Sequence, residues 1–213
     1  DNGATSLALV VCDLIVAQGE RLDQAKAMIE ERCGIPRGNV MIGCTHTHSG
    51  PATTGLLGVA EVEGYWDFAV RKIADSVQMA WRRRREAELG FASGVEPRCV
   101  FNRRFRMKDG TVRMNPGRHN PDIVEPVGPT DPEVGVLCVR EPESRAMIAV
   151  MTNYALHYVG GADGATVSAD YFGAFSRILQ RMLGQEFVAM LANGCCGDVN
   201  NIDVREKPTD KGR

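Results

Sequence analysis

The sequence lacks most of the features that would declare a function at once. It has no apolar run of the ~18 residues that a membrane-spanning helix needs, and its N-terminus lacks the basic-then-apolar plan of a signal peptide. It also lacks a large charge of either sign: 25 Lys and Arg against 27 Asp and Glu leave a net charge of −2. That balance excludes a nucleic-acid partner held by bulk electrostatics. The one basic run, Arg82 to Arg85, falls at the end of an expected helix, where cations complement the helix dipole. The seven cysteines form no CxxC pair, which argues against a cysteine zinc site. Cys12, Cys44 and Cys138 lie in apolar runs and read as small hydrophobes, and the adjacent Cys195 and Cys196 read as thiols. GxSxG, GxxxxGK(S/T), HExxH and a GxGxxG following a strand are all missing. A hydrolytic metal site is the chemistry left standing.

Histidine is scarce too, with four in the chain: His46, His48, His119 and His157. Two of them stand in Cys44-Thr45-His46-Thr47-His48-Ser49-Gly50-Pro51, directly after the apolar run Val40-Met41-Ile42. Alternate residues of a strand share a face, so these two imidazoles are expected on one side of a strand end. There they offer nitrogen ligands to one divalent ion. A turn whose histidines cap backbone groups is the plain alternative.

The surrounding pattern is α/β. Ser6 to Cys12 reads as a buried strand, Glu20 to Cys33 as a helix stopped by Gly34 and Pro36, and Asn39 to Thr45 as a second strand. Together they make a βαβ unit with parallel strands. Tyr65, Ala69, Ile73, Val77 and Trp81 form one apolar stripe in a helix expected over Glu61 to Leu89. Short strands are expected at Phe91 to Val95 and Cys99 to Phe105. An Asp-Gly hairpin is expected around Lys108-Asp109-Gly110-Thr111, and an ordered proline-rich loop from Asn115 to Pro132. Val134 to Val139 and Met147 to Tyr154 read as an antiparallel hairpin, Asp170 to Leu183 as a helix, and Phe187 to Leu191 as a buried strand. The fold class expected is α/β, a mixed β-sheet layered with helices. The chain opens on Asp1-Asn2-Gly3 and stops in a polar tail, Lys207 to Arg213. It is therefore expected to be a single catalytic domain, 1–213, cut from a longer chain.

Three strand ends carry compact polar clusters: Thr45 to His48, Asn153 to His157, and Asn193 to Asn201. Ligand sites of α/β folds form outside the carboxyl ends of strands, so these clusters are expected to build one site. Their convergence promotes His157 to a third candidate ligand. Asp170 is alternatively a helix N-cap and Asp198 an Asx-turn residue, and His119 reads as exposed and incidental.

At this point the residues match a known family. His46-Thr47-His48-Ser49-Gly50-Pro51 resembles the THTHSGP signature of the neutral (non-lysosomal, alkaline-range) ceramidases. Asn102-Arg103 resembles their Asn-Arg-Ser segment. Asn153 to His157 with Val167-Ser168-Ala169-Asp170 resembles "NWFAIHP … VSGDN", and Gly197-Asp198-Val199-Asn200 resembles "GDVSPN". The likeness runs from about Ser6 to Ile202. It implies a zinc-dependent amidase that cleaves the N-acyl bond of ceramide into sphingosine and a fatty acid. By it, His46 and His157 are expected zinc ligands and His48 a proton carrier. Arg103 is an expected oxyanion donor, with the Asp198–Asn200 loop and Asp170 beside it. A glutamate and a tyrosine that complete the family's site would fall beyond Arg213. Export from the cytoplasm is a further implication.

Asn200 stands where the family has a serine discussed as catalytic, and asparagine is no acyl-accepting nucleophile. Water activated by the metal needs none, so the expected function is hydrolysis of an N-acyl amide of ceramide or a related lipid or small molecule. The rivals are a catalytically silent ligand-binding domain of the same fold and a barrel-type metal amidohydrolase.

Overall fold

The computed structural model describes residues 1–56, 58–160 and 166–205; the polar tail Lys207 to Arg213 lies outside them. The chain begins with the expected unit: β1 (Ala8–Cys12), α1 (Gly19–Cys33) and β2 (Val40–Cys44). The strands pair in parallel, Ala8 opposite Val40 and Cys12 opposite Cys44. Gly34 ends α1 in the left-handed region (φ 70°), and its N–H donates to the carbonyl of Glu30. Glycine takes this turn at no steric cost.

Next, α2 (Tyr65–Arg82) buries Trp66, Ala69, Val70, Ile73, Ala74 and Val77. Three- and four-residue spacing puts these on one stripe, packed with Ile29 of α1 and Val40 of β2 in the largest core cluster. The helix is shorter than expected. It stops at Arg82, the first residue of the arginine run, and Arg84 lies over the Trp81 ring at 3.6 Å, so the run is a solvated helix end. The residues then turn into β3 (Glu88–Val95), which begins within the range expected to be helical. The cause is non-local: Glu88 to Val95 pair with Arg140 to Glu133.

The Cys99 to Phe105 strand is broken into β4 (Phe101–Asn102) and β5 (Arg104–Met107). β6 (Val112–Met114) closes the expected hairpin on β5, with Thr111 N–H held by the Asp109 carboxylate at 2.9 Å. The proline-rich loop is a second correction. It contains β7 (Ile123–Pro126), an edge strand paired with β5, and Pro126 at its end is tolerated because an edge leaves some N–H positions unpaired.

β8 (Glu133–Arg140) and β9 (Met147–Tyr154) are antiparallel. α3 (Asp170–Leu183) then leads to β10 (Val188–Asn193), which pairs with β9 in parallel. The result is a mixed sheet ordered β10-β9-β8-β3. β11 (Val199–Asn200) pairs with β4. The architecture is α/β, as expected, and among the described residues no sheet closes into a barrel. A second core, with Tyr154, Leu156, Phe172, Leu191 and Val199, lies under the ends of β9 and β10. The Asn193 side chain donates to the Thr45 carbonyl at 3.0 Å, joining the end of β10 to the end of β2.

Candidate metal centre

The two histidines of the HxH stretch lie past the end of β2, so strand alternation does not orient them. His46 instead adopts a left-handed backbone (φ 63°), uncommon for a residue with a side chain. Its N–H donates to the Leu14 carbonyl at 3.0 Å, and its Nδ1 meets the Ile15 carbonyl at 2.8 Å. A carbonyl only accepts, so Nδ1 carries the proton and Nε2 presents its lone pair. Thr47, between the two histidines, is buried, with 1% exposure. Its hydroxyl lies 2.9 Å from the Ser168 carbonyl and 2.7 Å from Asp170 Oδ2, and accepts the Ser49 N–H at 3.2 Å. Ser168 N–H donates to the Ser49 carbonyl at 2.8 Å. The stretch leading into α3 is thus bound to the HxH turn.

His157 follows β9 by three residues and is 6% exposed. The rings of His46, His48 and His157 form a triangle with each pair of centroids 5.0 Å apart. One nitrogen from each lies within 4.8 Å of the others, close enough to hold one metal ion. Three imidazoles are a donor set suited to zinc and its neighbours. His48 and His157 meet Nε2 to Nε2 at 2.9 Å. On its other side His157 Nδ1 receives a short hydrogen bond from Arg103. A guanidinium only donates, so His157 accepts at Nδ1, and the proton shared between the two Nε2 atoms is the one that a bound metal ion would displace.

This environment keeps His157 and His48 neutral. Burial, then the charge of Arg103, then the other two histidines pull His157 down to about 4. His48 is pulled below its usual range by desolvation and by His46, with Asp170 acting against them. Neutral imidazole is the metal-binding form.

Arg103 is held firmly. Its Nε and its second terminal nitrogen donate to the Gly197 carbonyl, at 3.1 and 2.6 Å, and its backbone N–H donates to Asp198 O at 2.7 Å. The loop after β10 can approach because Gly194 has no side chain: a Cβ there would sit 3.1–3.3 Å from Ala155. The expected convergence of three strand ends is therefore present, and it brings together His46, His48, His157 and Arg103.

The remaining expected residues stand differently. Asp198 turns its Oδ2 to the Asn102 amide at 3.1 Å. Asn200 donates to Asn115 Oδ1 at 2.8 Å. Asp170 opens α3 with φ 49° and binds Thr47, while the cap residue Ala169 has no side-chain bond; Asp170 is thus no N-cap. His119 is exposed. Thr47, Asn102 and Asn193 fall within the motifs and clusters of the sequence analysis but carry no role of their own there. Only their position beside candidate residues could have flagged them.

The structure is an α/β fold with a three-imidazole cluster at its strand ends. The solved structures similar in fold include the neutral ceramidase from Pseudomonas aeruginosa, with a TM-score of 0.72 and 23% identity over 93% of this chain and 32% of that one. A ceramidase complexed with C2 gives a TM-score of 0.71 and 22% identity over 89% of this chain and 30% of that one. The chain thus has the fold of a segment of neutral ceramidase and spans about a third of the length of these structures. No protein-family model and no curated protein matches the sequence.

Proposed function

We propose that the chain carries the metal-binding part of a ceramidase-like amidohydrolase, which uses zinc to hydrolyse an N-acyl amide of ceramide or a related compound. The observation that carries this reading is the triangle of three imidazoles with Arg103 against one of them. His46 and His157 would hold the metal, and further ligands would come from outside residues 1–213. Bound zinc supplies a Lewis acid and lowers the pKa of water to about 7. In the reaction the C–N bond breaks and a C–O bond forms. His48 is the proton carrier, taking a proton from the attacking water and returning it to the departing amine. Arg103 donates to the oxygen on which charge develops, because three hydrogen bonds leave two of its five N–H groups unused. Asp198, through its backbone carbonyl and through Asn102, holds Arg103 in place, and Asn200 contributes an amide nearby. Asp170 acts through Thr47 on the HxH turn. The substrate class proposed is a lipid amide, and the compartment proposed is an exported one.

A second reading has its own support: Asn200 occupies the place of a serine, so the site binds without turning over. The test is zinc content together with hydrolysis of a fluorogenic N-acyl substrate, for the native chain and for His46→Ala. Zinc in the native chain, lost in the variant, with turnover lost alongside, supports hydrolysis. Zinc without turnover supports the silent domain, and zinc content unchanged by His46→Ala overturns the metal assignment.

A further inference from the structure

Beyond Arg103 the surface opens into a cavity of about 330 Å³, lined in part by Arg103, Arg118, Asn115, Asn200, Asn201 and Val159. None of its lining residues is a carboxylate, although the chain as a whole has more acidic than basic groups. Among the described residues neither Arg103 nor Arg118 is paired with a carboxylate, and Arg118 and Asn201 make no side-chain hydrogen bond. Arg118 is exposed, but the loop beneath it is fixed at both ends. Asn115 N–H donates to the Arg103 carbonyl at 2.9 Å and His119 N–H to the Val204 carbonyl at 2.8 Å. The Asn120 side chain ties back to Pro116 O at 2.8 Å. Asn115 and His119 both hold left-handed backbones, at φ 49° and 54°. A lone arginine on a surface is ordinarily just solvated. Two guanidinium groups with no carboxylate partner among the described residues, and three amides, around one concavity, with one guanidinium touching the histidine cluster, are a different case. Guanidinium forks match anions that present several oxygens.

We propose that this cavity receives an anionic oxygen group of the substrate, so that the amide hydrolysed is an N-acyl compound bearing a carboxylate or a phosphate. This rests on the hydrolytic reading above and narrows its substrate class. Arg103 faces the reacting carbonyl, and Arg118, with Asn201, takes the anion.

The test uses two matched pairs: N-dodecanoylglycine with its methyl ester, and N-dodecanoylethanolamine phosphate with its unphosphorylated parent. The charged member of at least one pair is expected to be hydrolysed with the higher kcat/KM; which pair shows the preference distinguishes carboxylate from phosphate. Arg118→Gln should raise KM for that charged member about tenfold more than for its neutral partner, the effect of losing one charge-assisted hydrogen bond. Arg118→Lys should restore part of the difference, and added salt should erode it. Equal kcat/KM within both pairs, or an equal effect of Arg118→Gln on both members, overturns the proposal and leaves the hydrolytic reading standing. If no compound is hydrolysed, the hydrolytic reading is what fails. Calorimetric titration with the same pairs then decides: tighter binding of a charged member, lost in Arg118→Gln, upholds the anion site, and equal or absent binding overturns it.

Discussion

Replacing Thr47 by valine keeps the side-chain shape and removes one hydroxyl from a position 1% exposed. That hydroxyl faces the Ser168 carbonyl at 2.9 Å, Asp170 Oδ2 at 2.7 Å and the Ser49 N–H at 3.2 Å. Its single proton cannot serve both oxygens fully, so the losses do not add. The carboxylate contact dominates, since hydrogen bonds to charged groups contribute about 1.5–3 kcal/mol and groups left unpaired add their desolvation. Thr47→Val is therefore expected to destabilise the chain by about 2–3 kcal/mol. At about 2–4 °C per kcal/mol for a chain of this size, Tm should fall by roughly 4–12 °C. Urea denaturation should show a lower midpoint with an unchanged slope. Zinc affinity should fall as well, because the same hydroxyl anchors the turn between His46 and His48. Thr47→Ser retains the hydroxyl and should cost about half as much or less. If Thr47→Val stays within about 0.5 kcal/mol of the native chain, or Thr47→Ser is equally damaging, this hydroxyl does not hold the turn.

Other outcomes follow from single contacts. Gly128→Ala would place a Cβ 2.9 Å from the Asn102 amide nitrogen and 3.7 Å from Asp198 Oδ2. It should dislodge the Asn102–Asp198 bond and cost about 1–3 kcal/mol by urea denaturation; a neutral result would mean that the loop yields freely. In metal-free protein His157 keeps a folded-state pKa of about 4 against 6.5 unfolded. Between those values the unfolded chain takes a proton that the folded chain refuses, so stability falls as pH drops from 6.5 to about 4. The loss is about 3 kcal/mol at most and levels off below that range. His157→Gln should flatten the profile, and an unchanged profile would assign the slope to other groups. His48→Ala should lower turnover on an N-acyl substrate by about 100-fold or more if its ring carries the proton. If zinc is lost in parallel, measured by metal analysis, His48 is a ligand instead.

The sequence alone determined those parts of this protein whose signals are local. The β1–α1–β2 unit came from apolar runs and a glycine stop, the Asp109-Gly110 hairpin from turn chemistry, and the core face of α2 from Ala69, Ile73 and Val77 recurring every four residues. The HxH pair was legible for the same reason, and His157 only through the order of strand ends. What pairs across long separations was decided by tertiary structure. β3 begins at Glu88 because Arg140 lies opposite, not because the helical stripe fails there. β7 forms inside a proline-rich loop because β5 supplies an edge. At the site, strand alternation was the wrong reason for a correct pairing: a left-handed His46, held by Leu14 and Ile15, turns the two rings together. The engagement of Asp170 with Thr47, Asp198 with Asn102 and Arg103 with His157 has no signature in spacing. Each joins residues more than fifty positions apart, and such contacts exist only once the sheet has set where its strands end.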